Sequence, residues 1–173
     1  MVDDGVADDR TGQPRADVRL AAEAWESLFR AQVALMRRFQ ADDVWGDLSI
    51  QEYDVLFTLA RAPEGTLRPR DLGEGSLLTQ PSLSRLVDRL EAAGLVTRAP
   101  VAGDRRGRAV RLTDAGRAAQ REIGRRHVRS IDHLVGGALD ADELTTLRRL
   151  CDKLRAAQPH LVDPVAAPGR AGT

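Results

Sequence analysis

The sequence predicts a mainly α-helical fold interrupted by one small β-hairpin. Three observations carry that expectation. Apolar residues recur at three- and four-residue spacing through most of residues 17–158, which is the period of a helix face. Between 95 and 112 the pattern changes to two short β-prone runs, Leu95-Val96-Thr97-Arg98 and Ala109-Val110-Arg111-Leu112. Six of the 173 residues are aromatic, so the core must be built mainly from Leu, Val, Ile and Ala, a composition that suits helices.

Taken in order, residues 1–16 are rich in Asp, Gly and Pro and show no apolar periodicity, so a disordered lead-in is expected there. The same stretch is acidic and lacks the apolar segment of a secretory signal. From Asp17 a first helix carries Trp25, Leu28, Phe29, Leu35, Met36 and Phe39 on one stripe, and Asp42, Asp43 and Gly46 end it. Ser49-Ile50-Gln51-Glu52 has the form of a capping box and opens a second helix. Its apolar positions are Tyr53, Leu56, Phe57 and Ala60, and Pro63 with Gly65 stop it. Leu67 suits a short edge strand, and Pro69 to about Glu74 a brief third helix. Gly73 and Gly75 weaken that helix by roughly 1 kcal/mol each relative to Ala.

Thr79 is placed as the N-cap of a fourth helix, with Pro81 in the first turn, where its missing N–H does no harm. This helix runs to Ala93 and ends at Gly94, a good left-handed terminator. The hairpin follows, with ten residues between its two runs and Gly103 and Gly107 in the tip. Thr113-Asp114 caps a further helix bearing Ile123, Val128, Ile131 and Leu134, broken at Gly136-Gly137. Asp140-Ala141-Asp142-Glu143 repeats the capping-box form, and Leu144, Leu147, Cys151 and Leu154 make a narrow stripe on the last helix. From Pro159 the Pro/Ala/Gly-rich tail is expected to be disordered.

The arrangement in the middle, helix, short helix, helix and hairpin, is that of a winged helix-turn-helix. The expected organisation is a tail at 1–16, an N-terminal dimerisation helix at 17–47 and a DNA-binding region at 48–113. Dimerisation helices at 114–158 and a second tail at 159–173 follow. The terminal helices carry apolar stripes that a 60-residue winged module cannot cover alone, which points to a homodimer.

Charge is distributed unevenly. The net formal charge is zero, yet residues 1–60 carry 6 Arg against 12 acids while residues 61–129 carry 15 Arg against 8. Residues 130–173 carry 5 basic against 6 acidic side chains. A basic centre between acidic flanks is the footprint expected of a phosphate-binding surface.

Within that centre the helix from Thr79 to Ala93 divides cleanly. Leu83, Leu86, Val87 and Leu90 share an inward face, whereas Gln80, Ser82, Ser84, Arg85 and Arg89 project elsewhere. A helix that enters the major groove needs an apolar side for docking and a short polar side for base edges. Gln reads adenine and Arg reads guanine, and the helix N-terminus at Thr79 favours a phosphate. Taken alone, the division also describes an ordinary amphipathic helix with a solvated face. The hairpin tip shifts the balance. Ala102-Gly103-Asp104-Arg105-Arg106-Gly107-Arg108 places three arginines within four residues, a density that a merely soluble turn does not need. Such a tip can set Arg105, Arg106 or Arg108 in a minor groove.

Two stretches resemble the MarR family of transcription regulators. Leu83-Ser84-Arg85-Leu86-Val87-Asp88-Arg89-Leu90-Glu91-Ala92-Ala93-Gly94-Leu95-Val96 is similar to its recognition helix and first wing strand. Asp104-Arg105-Arg106, followed by Val110-Arg111-Leu112-Thr113-Asp114-Ala115-Gly116, is similar to its wing and next helix start. The resemblance covers about residues 20–157 and departs from the family at Gly73 and Gly75, where good helix formers are usual. It implies a homodimer on double-stranded DNA, bound at a pseudo-palindromic operator and acting in most cases as a repressor. It also implies a small aromatic or anionic effector, for which Trp25, Phe29, Tyr53, Asp54 and Arg98 are the expected residues. Asp54 and Arg98 resemble the acid–Arg pair of the urate-responsive branch. Core packing for the aromatics and a surface role for the two charges is the plainer expectation.

Other classes fit less well. There is no Ser/His/Asp or Cys/His arrangement and no phosphate-cradling glycine loop, so an enzyme is not expected. His127, His133 and His160 lack metal-site spacing, and neither metal nor cofactor is expected. A winged module that binds protein would lack the basic tip. Cys151 sits on an apolar stripe, where burial would make it inert. No run approaches 18 apolar residues, so a cytoplasmic protein without a membrane span is expected.

Overall fold

The computed structural model describes the backbone of residues 17–74, 78–101 and 104–158, and the side chains of these except at 74, 101 and 104–107. Residues up to Arg38 and residues from Phe39 onward form two units. The first is dominated by α1 (Val18–Gln40). Arg19–Glu23 and Arg30–Glu26 pair across one helical turn, at 2.8 and 2.6 Å. Trp25 and Phe29 stack with ring centroids 6.0 Å apart and both remain exposed.

In the second unit Ser49 fixes where α2 (Ile50–Arg61) begins. Its hydroxyl accepts from the Glu52 N–H at 3.2 Å, and Glu52 Oε2 accepts from the Ser49 N–H at 2.8 Å. This is the capping box read from the sequence. A short 3₁₀ turn at Pro63–Gly65 leads into β1 (Thr66–Leu67), then α3 (Pro69–Glu74) and α4 (Gln80–Ala92). The sheet is completed by β2 (Val96–Val101) and β3 (Asp104–Leu112), in the order β1-β3-β2 and antiparallel throughout. The core draws on α2, α3, α4, β2 and β3, with Leu67 of β1 packed against it: Val55, Leu56 and Leu59 meet Leu72, Leu83, Val87, Leu90, Val96, Val110 and Leu112. Each such side chain contributes about 1.5–3 kcal/mol by leaving water.

The strands run further than their apolar pattern. Pairing extends from Val96↔Leu112 to Val101↔Asp104, across a register shift at Pro100/Val101, where a ten-residue tip was expected. A ladder is made of backbone hydrogen bonds and needs no apolar alternation to continue. Because β2 is an edge strand, Pro100 is tolerated there without its N–H.

Thr113 then turns the chain into α5 (Asp114–Ile131). Its Oγ1 accepts from the Gly116 N–H at 3.0 Å and donates toward the carbonyls of Gly94 and Leu95, at 2.8 and 3.0 Å. Gly116 is required by this close approach, since a Cβ there would lie 2.0 Å from the Leu95 carbonyl oxygen and 2.8 Å from Leu112 Cδ1. A wider turn at Asp132–Gly136 follows, and α6 (Ala141–Ala156) starts from an Asp140 capping box closed by Glu143. On α6 Cys151 is exposed in the single chain, so the burial expected of its stripe is not supplied within one chain. Leu147, Leu150 and Leu154 are exposed too, so the stripe lies on the surface of the single chain.

A second, aromatic cluster was not legible beforehand. Trp45 is buried, and its indole N–H donates to the Phe39 carbonyl at 2.6 Å. His127 of α5 sits among Phe39, Trp45 and Tyr53, with ring centroids 5.0, 4.7 and 5.8 Å away. Its Nδ1 and Asp42 Oδ2 are buried without a hydrogen-bond partner among the described residues. Burial pushes the imidazole below the usual histidine range, and the negative charge of Asp42 opposes this only in part.

Two outcomes follow from this packing. Gly116→Ala should lower the unfolding free energy in a urea titration by about 1–3 kcal/mol. Alanine's helix propensity, better by about 1 kcal/mol, offsets part of the clash. An unchanged midpoint would mean that the Leu95 carbonyl yields freely. His127 has a folded pKa below its unfolded value of 6.5, so the unfolded chain binds the extra proton. The stability it contributes is held above that value and lost as pH falls through it. The melting temperature should therefore drop more steeply between pH 7.5 and 5.5 in the wild type than in His127→Gln, and parallel curves would count against it.

Candidate nucleic-acid interface

The site is organised by α4. Thr79 caps it, its hydroxyl accepting from the Ser82 N–H at 3.4 Å and donating to Ser82 Oγ at 3.0 Å. Leu83, Leu86, Val87 and Leu90 are buried, as the division of the sequence requires. Gln80, Ser84 and Arg85 are exposed and Ser82 is half-buried. The helix closes at Gly94, whose φ of 71° is the left-handed conformation expected of it. There the Gly94 N–H donates to Glu91 O and the Leu95 N–H to Leu90 O, both at 2.9 Å. On the other side α3 approaches closely. A Cβ on Gly73 would lie 2.7 Å from the Gln80 amide nitrogen and 3.4 Å from Leu83 Cδ2, but Gln80 is an exposed, flexible side chain that can swing aside, so this contact does not by itself require glycine. Gly75 lies outside the described residues.

Two arginines tie α4 to its neighbours. Arg89 Nε donates to Glu52 Oε1 of α2 at 2.7 Å. Glu52 is itself buried, and its other oxygen holds Ser49. Burial alone would raise its carboxyl, but the hydrogen bonds from Ser49 and Arg89 outweigh that and hold it below the usual glutamate range. At the far end Arg98 of β2 reaches back to α4, donating to Asp88 Oδ1 at 2.5 Å and pairing with Glu91. Its backbone N–H also donates to Glu91 Oε1 at 3.1 Å.

Between α2 and α4 lies an open cleft of about 380 Å³ lined by Ser49, Gln51, Leu78, Ser82, Arg85, Leu86 and Arg89. Three of the expected DNA-facing residues, Ser82, Arg85 and Arg89, come together here. Ser49 and Gln51 join them unannounced, because their local pattern signals only a helix start and it is tertiary packing that sets them beside α4. Arg108 is exposed on β3, whereas the side chains of Arg105 and Arg106 lie outside the described residues, as do Ala102 and Gly103 entirely. The surface can receive a polyanion, with guanidinium groups at the cleft and a polar helix face beside it.

The expected effector residues are not gathered in the same way. Tyr53 lines a second cavity of about 500 Å³ with Phe57 of α2 and Gln120, Arg121, Gly124, Arg125, Val128 and Arg129 of α5. Asp54 is on the exposed side of α2. The anticipated Asp54–Arg98 pair is not made, since Arg98 is committed to Asp88 and Glu91 by the course of β2 past α4. Trp25 and Phe29 stack on each other along α1. In sequence the arginines of α5 counted only toward the basic centre at 61–129, with nothing to set them beside Tyr53 and Phe57. Among the described residues no group of His, Cys, Asp and Glu fits a metal ion, and no helix is long and apolar enough to cross a membrane.

With this geometry in place, comparison with known proteins is informative. Residues 46–107 match the model of the MarR family. The HTH-type transcriptional regulator PecS of Dickeya dadantii (strain 3937) is 33% identical over 118 residues, 67% of this chain and 68% of that protein. Among solved structures, Sco3205, a MarR family transcriptional regulator from Streptomyces coelicolor in complex with DNA, superposes with a TM-score of 0.72. It is 26% identical, over 88% of this chain and 97% of that one. The PcaV transcriptional regulator from Streptomyces coelicolor, in complex with its natural ligand, is 27% identical with a TM-score of 0.59. That match covers 82% of this chain and 98% of PcaV. A winged helix-turn-helix built on these residues and matched to these relatives leaves one conclusion: the chain belongs to the MarR family of transcriptional regulators.

Proposed function

We propose that this regulator binds a pseudo-palindromic stretch of double-stranded DNA as a homodimer in the cytoplasm. It acts there as a repressor that a small aromatic or anionic molecule releases. The observation that carries the DNA reading is α4 itself: Gln80, Ser84 and Arg85 stand exposed on a helix whose opposite face is buried. Thr79 and Ser82 lie at its N-terminus, where free N–H groups and the helix dipole favour a phosphate. Arg105, Arg106 and Arg108 complete the surface as wing contacts. Sco3205, solved with DNA, supports the same use of the fold.

The dimer reading rests on apolar surface. Trp25 and Phe29 on α1, Val128 on α5 and Leu147, Leu150 and Leu154 on α6 are all exposed in the single chain. A second copy covering the 17–47 and 114–158 regions would remove them from water and leave 48–113 to read DNA. The two α4 helices would then meet successive major grooves, roughly 34–36 Å apart. For release, the cavity between α2 and α5 offers an aromatic wall, Tyr53 and Phe57, beside the guanidinium groups of Arg121 and Arg125. That chemistry suits an aromatic anion, and PcaV, solved with its natural ligand, supports such a use.

Selection of bound duplexes from a random pool should enrich an inverted repeat with half-sites about one turn apart. No enrichment by a folded dimer would argue for another partner. On the selected duplex, Arg85→Ala should relax base preference at one position by about 1–3 kcal/mol. Arg106→Ala should weaken binding to all sequences alike and reduce the slope of log affinity against log salt by about 0.9. An unchanged slope would remove the wing from the phosphate contacts.

A further inference from the structure

We propose that Glu52 is a positioning residue for DNA binding: a buried carboxylate that fixes Arg89 in place to contact the phosphate backbone. The inference rests on the reading that α4 lies against DNA. Arg89 stands nine residues beyond Gln80, about 13 Å further along the helix. The N-terminal residues of a recognition helix meet the base edges, so a side chain that far along is at the level of the sugar-phosphate strand. Arg89 and Arg85 thus have different tasks, one on the backbone and one in the groove.

Glu52 is built to hold a neighbour still. It is 7% exposed, its Oε2 accepts from both the backbone N–H and the hydroxyl of Ser49, and its Oε1 accepts from Arg89. With both oxygens engaged the carboxylate has little freedom. The bond uses Nε, the inner guanidinium nitrogen, and the Arg89 side chain stays 58% exposed on the edge of the cleft. A long side chain ordered in this way before DNA arrives loses less entropy on binding. The cap of α2 and the phosphate contact of α4 therefore share one carboxylate.

The sign of the effect separates this role from plain electrostatics. Removing a negative charge beside DNA should tighten binding, whereas removing a positioning group should weaken it. Glu52→Gln keeps a side chain that can complete the capping box with Ser49. Anisotropy titrations of the full chain would use the duplex recovered by selection and a mixed-sequence duplex of equal length, across 50–200 mM salt. Glu52→Gln should bind both duplexes roughly three- to tenfold more weakly. The salt slope should fall by up to about 0.9, as in Arg89→Ala, with the double variant no weaker than Arg89→Ala alone. Wild-type or tighter affinity in Glu52→Gln, or additive losses in the double variant, would overturn the role while leaving DNA binding intact. Failure of the wild type to bind either duplex would instead sink the DNA reading and this inference with it. If Glu52→Gln does not fold, Arg89→Lys carries the test. One ammonium nitrogen cannot hold Glu52 and a phosphate in the fixed fork of a guanidinium, so the same loss is expected and full affinity would refute it.

Discussion

The packing of Leu83, Val87 and Leu90 of α4 against Leu56 and Leu59 of α2 sets the attitude of the helix on which the proposed interface stands. Leu56, Leu59, Leu83 and Leu90 are nearly or wholly inaccessible to water, and interiors packed to crystal-like density yield little to small forces. Rotating α4 by one residue would bring Leu83 and Leu90 toward solvent and carry Arg85 toward the core. The exposed polar face is therefore a consequence of the buried apolar one, and its direction is known as well as the core is.

The ion pairs around α4 add direction more than stability. Arg98 with Asp88 and Glu91 is partly exposed, and pairs of that kind contribute little to folding free energy. What they do is join β2 to the C-terminal half of α4, so that hairpin and helix keep one relative orientation. Glu52 differs because it is buried. Its ionised state is held by the Ser49 N–H and by Arg89, so removing either donor would leave a desolvated charge short of a partner. The cap of α2 and the attitude of Arg89 are in this sense one structural feature.

Local chemistry made most of the architecture legible in the sequence. Ser49, Thr79, Thr113 and Asp140 announce helix starts because a capping side chain needs only its own first turn. Gly94 announces a helix end for the same local reason. What escaped depends on distant partners. The capping Glu52 gives no sign that Arg89, 37 residues away, will share it. Arg98 finds Asp88 and Glu91 rather than Asp54 because strand register, not residue type, aims it. Trp45 lies in a polar stretch between helices, so no periodicity marks it as buried, and His127 becomes an aromatic-cluster member only once α5 crosses α2. The extended ladder of β2 and β3 was hidden because backbone pairing leaves no trace in side-chain hydrophobicity.

These features converge on α2. Tyr53 and Phe57 wall one cavity with α5, while Ser49 and Glu52 serve the cleft with α4, all on a 12-residue helix and its cap. A ligand acts on DNA binding only if its affinity differs between the DNA-competent and incompetent states. On the proposed reading, a molecule wedged between α2 and α5 would favour a slightly displaced α2. Glu52 would move with it as part of the same rigid helix, and Arg89 would lose its fixed position. At the opposite end the contact of Gly116 with the Leu95 carbonyl binds α5 to the exit of α4, so a shift of α5 cannot leave α4 undisturbed. On that reading sub-ångström displacements would suffice, because a phosphate contact made by one oriented guanidinium would fail over a short distance.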